Sequence, residues 1–126
     1  MNRLAGLSVL LVEDEYLIAL DAAQILKDLG VGKVEIIATM EVAEKRAMDG
    51  AFDLAVLDVN LNGQFSFPIA DTIGKRGIPV VFASGYELRS RPPPDMADAV
   101  CVTKPYTGER LKAAMLTALA KDEPKQ

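Results

Sequence analysis

Short apolar segments alternate along the chain with longer segments in which apolar residues recur every three or four positions. The first, third and fourth short segments are nearly continuous in Val, Leu, Ile and Phe, which is typical of strands covered on both faces. The longer segments have the period of amphipathic helices. We therefore predict an α/β fold, five β–α repeats around a doubly wound, five-stranded parallel sheet. The predicted strands are Leu7 to Val12, Lys33 to Ala38, Asp53 to Leu57, Ile78 to Ala83 and Ala99 to Thr103.

Capping residues predict where the helices begin and end. Gly30 lies where a C-terminal glycine belongs after the first apolar stripe. Thr39 is a suitable N-cap for a second helix that ends at Gly50, and Thr107 can cap the last helix. Pro68 to Arg76 suits a short third helix, since Pro is favoured in a first turn.

The segment between the fourth and fifth strands, Tyr86 to Ala97, is expected to be irregular. It contains Pro92, Pro93 and Pro94, which cannot lie in a helix interior. The fourth helix is therefore predicted to be short or irregular. The charged tail over residues 121–126 is expected to fray. Residues 1–126 are otherwise predicted to form a single domain with no linker.

The amino-acid composition excludes several kinds of binding and catalytic site. The chain has 126 residues and a formal net charge of −4, which argues against sequence-independent binding to nucleic acid. It contains no histidine and one cysteine, Cys101, interpreted as a small buried residue of the fifth strand. The lack of histidine excludes Ser-His and Cys-His catalysis and His-ligated metals. Any metal must then be held mainly by oxygen, as Mg²⁺, Mn²⁺ and Ca²⁺ are.

The apolar run from Leu4 to Val12 is interpreted as a buried strand and not as part of a signal peptide. Only Arg3 precedes it as a charge, and acidic residues follow it without a small-residue cleavage site. No apolar stretch reaches the ~18 residues that span a bilayer. We expect a soluble, cytoplasmic protein with no membrane partner.

Polar residues follow the predicted strands, at the edge where doubly wound sheets carry their sites. Glu13 and Asp14 follow the first strand, Asp58 the third, Ser84 the fourth and Lys104 the fifth. Carboxylates brought together repel unless they share a cation, and Mg²⁺ is the predicted cation, with Mn²⁺ or Ca²⁺ as substitutes. A lysine and a hydroxyl suit phosphoryl oxygens. The set predicts an aspartyl-phosphate site with a carboxylate nucleophile.

Four short motifs in this order resemble the receiver domain of two-component response regulators, over essentially the whole chain. They are Leu11 to Glu15, Leu57-Asp58, Ala83-Ser84-Gly85 and Lys104-Pro105. The resemblance implies a stand-alone receiver with the flavodoxin-like strand order 2-1-3-4-5.

The same resemblance implies a role for each site residue. Asp58 would be the phosphoacceptor, and it would share Mg²⁺ with Glu13, Asp14 and the main-chain carbonyl of Asn60. Ser84 would bind the phosphoryl group and signal its presence. Lys104 would pair with the phosphate, and the Lys104–Pro105 peptide bond would be cis.

Asp58 to Gly63 and Phe82 to Tyr86 resemble, more narrowly, the alphaproteobacterial receivers nicknamed FAT GUY, with Ser84 in place of their Thr. Cys101 stands where most receivers carry an aromatic switch residue, so Tyr86 is the candidate substitute. Asn62 replaces the usual Pro. These departures put the usual signalling route in doubt and leave the phosphoacceptor chemistry intact.

The predicted function is phosphoryl signalling. A sensor histidine kinase or phosphotransfer protein would supply phosphohistidine, and a downstream protein would read the phosphorylated surface, or the domain would drain phosphate from another pathway. The chain would then be no enzyme, with at most slow self-dephosphorylation.

Three alternatives remain open from sequence. A phosphatase of the haloacid dehalogenase type also uses an Asp nucleophile with Mg²⁺, but it needs an acid where this chain has Asn60. A nucleotide or flavin module would need a glycine-rich turn after the first strand, where this chain has Glu13-Asp14-Glu15. A phosphorylation-independent binding module is the third alternative.

Overall fold

The computed structural model describes residues 2–85 and 99–121. Tyr86, the three consecutive prolines, the predicted fourth helix and residues 122–126 of the predicted tail lie outside these ranges. In chain order the elements are β1 Ser8–Val12, α1 Tyr16–Asp28, β2 Lys33–Ile37, α2 Met40–Asp49, β3 Leu54–Asp58, β4 Asn60–Leu61, β5 Gln64–Phe65, α3 Phe67–Lys75, β6 Val80–Ser84, β7 Val100–Thr103 and α4 Gly108–Lys121.

The main sheet has five parallel strands in the order β2-β1-β3-β6-β7. Because β4 and β5 form a separate hairpin, this is the predicted order 2-1-3-4-5, and the doubly wound α/β fold is confirmed. Helices α1 and α4 cover one face of the sheet, and α2 and α3 cover the other. Alternate residues of β1 enter the two cores, with Leu11 on the first face and Leu10 on the second.

The predicted strands are correct to within two residues at each end. Two differences concern the polar strand ends. Asp58 is the last residue of β3, where it lies opposite Ala83 of β6. Ser84 is the last residue of β6, where it lies opposite Thr103 of β7. Strand pairing therefore continues one residue past each apolar run.

The capping predictions are confirmed. The Thr39 hydroxyl accepts a hydrogen bond of 3.3 Å from the Val42 N–H, and the Thr107 hydroxyl accepts one of 3.2 Å from the Arg110 N–H. Gly30 has a φ of 101°, in the left-handed region that favours glycine after a helix.

A short antiparallel hairpin, β4–β5, follows β3 and was not predicted. Asn60 pairs with Phe65 and Leu61 with Gln64, so the turn consists of Asn62 and Gly63. Their φ angles of 53° and 85° are those of a type I′ turn, for which Asn-Gly is the preferred pair.

Three aromatic rings connect this hairpin to the main sheet. Phe65 is half-exposed and stacks on Phe67, with ring centroids 5.7 Å apart and planes inclined by 11°. Phe67 meets the buried Phe82 of β6 edge-on, at 5.3 Å and 74°. Both geometries are favourable for aromatic pairs. The rings form a continuous contact from a core strand to the surface.

The interpretation of Cys101 as a buried residue is wrong. Its side chain is exposed, whereas the neighbouring Val102 is buried. Within the described residues, β7 lies at the edge of the sheet, and its side chains alternate between the core and the outside. Across those same residues, no helix combines the length and the apolar composition needed to cross a membrane.

Candidate functional site

Parallel pairing brings the polar strand ends to one edge of the sheet. Val12 lies opposite Leu57 and Leu57 opposite Phe82, so the residues that follow β1 and those that end β3 lie side by side. Carboxylate oxygens of Glu13, Asp14 and Asp58 all lie within 4.8 Å of one another. The structure thus brings together the three acids that the sequence analysis singled out.

Lys104, which follows β7, enters the same cluster. Its Nζ lies 3.0 Å from Asp58 Oδ2 and 2.8 Å from Glu13 Oε1. Glu13 is fully buried, Asp58 is 4% exposed and the Lys104 side chain is 15% exposed. These contacts are shielded from water, which strengthens them relative to a surface pair. The Lys104–Pro105 peptide bond is cis, the isomer that the resemblance implies.

Burial shifts the pKa of two acids of the cluster, Glu13 and Asp58, and of Lys104. Burial raises the pKa of Glu13 to about 7, although hydrogen bonds from Lys104 and the Glu15 N–H oppose the change. Burial also raises the pKa of Asp58, against the attraction of Lys104. Burial lowers the pKa of Lys104, but its bonds to Glu13 and Asp58 outweigh this, so the net pKa is raised. Three carboxyl groups lie beside one lysine in this cluster, so a bound cation could offset the negative charge that the lysine leaves.

The donor set fits a hard divalent ion. All three acids offer oxygen, and Mg²⁺ typically binds through a few carboxylate or carbonyl oxygens together with water and phosphate. The N–H of Asn60 donates to Asp58 Oδ1 at 3.3 Å, which places the Asn60 backbone beside the cluster. The role of its main-chain carbonyl as a ligand stays a prediction.

Ser84 supplies a hydroxyl at the same edge. The residue is fully buried, and its Oγ has no hydrogen-bond partner among residues 2–85 and 99–121. Its carbonyl oxygen accepts from the Lys104 N–H at 2.8 Å, which ties the end of β6 to the residue after β7. A buried hydroxyl without a partner is unusual and is suited to receive a bound group.

Two residues at the site were missed by the sequence analysis. The Ser66 hydroxyl donates to the main-chain oxygen of Asp58 at 2.6 Å. The Asn62 N–H donates to Asp14 Oδ2 at 3.1 Å. The Asn62-Gly63 pair is a recognised hairpin signal that could have located the second contact. No sequence signal marks Ser66, which looks like an ordinary N-cap before α3 but makes no side-chain capping bond.

An apolar surface borders the site. Tyr16, Leu17 and Leu20 of α1 are 71%, 78% and 42% exposed. A groove of about 420 Å³ lies between this helix and the segment after β7; it is lined by Leu17, Ile18, Asp21, Lys104, Pro105 and Tyr106. Lys104 belongs to both the groove and the acidic cluster, so the two are contiguous.

No protein-family model matches the chain. The sensory transduction protein LytT of Bacillus subtilis is 32% identical over 115 residues, which cover 86% of this chain and 46% of LytT. The chain thus spans less than half the length of this curated relative. The solution structure of SdrG from Sphingomonas melonis Fr1 is similar with a TM-score of 0.79 and 36% identity, over 90% of this chain and 97% of SdrG.

A response regulator receiver protein from Sinorhizobium medicae WSM419 is also similar in structure. Its crystal structure matches with a TM-score of 0.77 and 26% identity, over 94% of this chain and 98% of that protein. The order of the strands and the acids and lysine at the strand ends point to the same family as these similarities do. The chain belongs to the receiver domains of response regulators.

Proposed function

We propose that this chain, as a single domain over residues 1–126, accepts a phosphoryl group onto Asp58 in a Mg²⁺-dependent reaction. The observation that carries the proposal is the arrangement of Lys104, whose Nζ bridges the buried Glu13 and Asp58 carboxylates at 2.8 and 3.0 Å, with Asp14 alongside. Such a cluster combines a nucleophile, a cation site and a fixed positive charge.

The reaction follows from what these side chains can do. The P–N bond of a phosphohistidine breaks as a P–O bond to an Asp58 oxygen forms, and the imidazole leaves with the electron pair. Mg²⁺, when bound by Glu13, Asp14 and Asp58, supplies charge neutralisation. Lys104 turns from the carboxylates to a phosphoryl oxygen, and the Ser84 hydroxyl donates to another.

The phosphodonor is proposed to be a sensor histidine kinase or a phosphotransfer protein. The exposed apolar side chains of Tyr16, Leu17 and Leu20 support this, because the groove beside them reaches Lys104. Apolar surface next to a charged site suits docking of a partner protein. A donor seated there would bring its phosphohistidine to the cluster.

Signal output is proposed to pass by protein contact in the cytoplasm, through a downstream partner or by removal of phosphate from another pathway. Ser84 and Tyr86 are the proposed switch residues, in line with the narrower resemblance to the FAT GUY receivers. Ser84 is a candidate because its buried Oγ has no partner among the described residues.

A turnover enzyme is disfavoured at this site. The position two residues after Asp58 is Asn60, whose amide oxygen accepts a hydrogen bond of 2.8 Å from the Gly63 N–H. An amide cannot exchange a proton with a leaving group or with water. At most slow self-dephosphorylation is expected.

The test is incubation with acetyl phosphate and Mg²⁺, followed by intact-mass measurement. Wild type should gain the mass of one phosphate, and a chelator should prevent it. Asp58→Asn should gain none, while Asp71→Asn, which removes an exposed acid of α3, should behave as wild type. Equal modification of wild type and Asp58→Asn, or no modification of wild type, would overturn the proposal.

A further inference from the structure

The β4–β5 hairpin has two backbone N–H groups that its own ladder does not use. In a two-residue turn the flanking pair, Leu61 and Gln64, closes the ladder, and the N–H groups of Asn62 and Gly63 need other partners. The Gly63 N–H donates to the Asn60 side-chain oxygen at 2.8 Å. The Asn62 N–H donates to Asp14 Oδ2 at 3.1 Å. One of the two turn groups thus reaches a residue of the acidic cluster.

Asn62 is fixed in this position by two further features. Its φ of 53° is left-handed, which Asn tolerates better than most residues. Its side-chain Nδ2 donates to the carbonyl oxygen of Ala38, just after β2, at 3.3 Å. The residue therefore ties together the ends of β1, β2 and β3 through Asp14, Ala38 and its own hairpin.

We propose that Asn62 is a positioning residue that orients the Asp14 carboxylate for the divalent ion. The proposal rests on the proposed function, because it concerns the ligand set of that same ion. A carboxylate has two oxygens and about four lone-pair sites. The bond from the Asn62 N–H occupies one site on Oδ2 and holds the plane of the group, so that Oδ1 stays available to the cation.

The expected loss of Mg²⁺ affinity can be taken from other residues that hydrogen-bond to a metal ligand. Removing a group that orients a metal ligand typically lowers metal affinity about 10- to 100-fold. Proline at position 62 would have no N–H and could not adopt a positive φ. Glycine at the same position would keep both the N–H and the positive φ and would lose only the bond to Ala38.

The first experiment measures the Mg²⁺ dissociation constant by calorimetric titration. Asn62→Pro should bind Mg²⁺ at least about 10-fold more weakly than wild type. Asn62→Gly should stay within about threefold of wild type because the N–H remains. Gly63→Ala strains the same turn without touching either N–H group, since a Cβ there has no atom within 4 Å, and it should also stay within about threefold.

The Mg²⁺ affinities of these variants distinguish an effect on the orientation of Asp14 from an effect on the stability of the turn. Equal Mg²⁺ affinity in wild type and Asn62→Pro overturns the inference and leaves the proposed function standing. An equal loss in Asn62→Pro and Gly63→Ala assigns the effect to the turn as a whole and also overturns it. If wild type binds no Mg²⁺, the metal part of the proposed function fails together with the inference.

A second measurement needs no proline and tests the Asn62–Asp14 hydrogen bond on which the inference rests, even if Asn62→Pro does not fold. In protein freed of metal by a chelator, the Asn62 backbone amide is followed by NMR in wild type and in Asp14→Ala. Loss of the carboxylate should move the amide proton upfield and speed its exchange with water. The Gly63 amide, bonded to Asn60, is the internal reference and should change little. An unchanged Asn62 amide overturns the inference.

Discussion

The hydroxyl of Ser66 donates a 2.6 Å hydrogen bond to the main-chain carbonyl oxygen of Asp58. Ser66 is fully buried and Asp58 is 4% exposed, so water cannot replace this bond. The Ser66 N–H also donates to the Val59 carbonyl oxygen at 2.9 Å. Two hydrogen bonds therefore connect Ser66, the residue before α3, to the end of β3 and the residue that follows it.

Ser66→Ala should lower the free energy of unfolding by about 1–3 kcal/mol, because it leaves a buried carbonyl oxygen without this donor. Urea unfolding measures the change. Thr72→Ala is the matched control, since the hydroxyl of the half-buried Thr72 donates to the carbonyl oxygen of the exposed Pro68 in α3. The control should change stability by less than about 0.5 kcal/mol. Equal losses in the two variants would contradict the importance of burial.

Mg²⁺ should stabilise the protein more strongly above the Glu13 pKa than below it. The Glu13 carboxyl has a pKa of about 7 in the fold and an ordinary value of 4.5, so its contribution to metal-free stability falls as the pH rises between these values. Below about 7, Mg²⁺ must displace the Glu13 proton, and above it Glu13 is already ionised. The expected result is a larger Mg²⁺-induced rise in unfolding temperature one pH unit above that pKa than one unit below.

The measurement is thermal unfolding with Mg²⁺ and with a chelator at both pH values. Glu13→Gln removes this titrating group and one ligand, so the Mg²⁺-induced rise in unfolding temperature should be smaller in the variant and should depend less on pH than in wild type. A wild-type rise of the same size at both pH values would contradict the prediction.

Arg76 should contribute to stability through the end of α2. Its two terminal nitrogens donate to the carbonyl oxygens of Ala47 and Gly50 at 2.9 and 2.7 Å, and its guanidinium lies 5.5 Å from the ring centre of Phe52. Arg76→Ala should lower the free energy of unfolding by about 1–2 kcal/mol. Arg76→Lys should retain less than half of the stability that Arg76→Ala loses, because an ammonium group lacks the planar fork that reaches both carbonyl oxygens.

The neighbouring Lys75 provides the control for this variant. Its ion pair with Asp71 is solvent-exposed, and Lys75→Ala should cost less than about 0.5 kcal/mol. Urea unfolding of all three variants gives the comparison. A similar loss for Lys75→Ala and Arg76→Ala would show that the carbonyl contacts contribute nothing specific.

Leu17 should matter for transfer from a protein donor but not from a small one. Leu17→Asn should leave phosphorylation by acetyl phosphate within about twofold of wild type and slow transfer from a phosphorylated histidine-containing protein about tenfold or more. Met48→Asn is the matched control, since Met48 on α2 is 73% exposed and Leu17 is 78% exposed. Time courses with acetyl phosphate and with the protein donor measure the rate for each variant. Equal slowing of transfer from the protein donor in the two variants would contradict a specific docking surface on α1.

The parallel sheet could be predicted because burial on both faces leaves little room for polar residues. All five residues of β3 are buried, and so are the last four of β1 and of β6. The β4–β5 hairpin was not predicted from hydrophobic periodicity, because its strands have only two residues each and are too short to show an alternating pattern. The implied strand order 2-1-3-4-5 already places the fifth strand at the sheet edge, but Cys101 was interpreted from its residue type alone, which favours burial.

The residues of the site that directly follow or end a parallel strand could be predicted from the sequence. Glu13, Asp14, Asp58 and Lys104 meet because parallel strands end at one edge, and composition excluded histidine chemistry. Ser66 could not be predicted in its role, because its hydroxyl acts on a carbonyl eight residues earlier, across the path of the hairpin. Such a contact depends on tertiary geometry and has no local pattern.

The stack of Phe65, Phe67 and Phe82 gives the protein an intrinsic spectroscopic reporter. The magnetic shielding of an aromatic proton depends steeply on its distance from and tilt to neighbouring rings. Phe82 lies two residues before Ser84 on β6, and Phe65 is half-exposed, so a displacement of the strand end would be visible as a chemical-shift change on a surface ring. Selective labelling of phenylalanine would let this site be followed without an added probe.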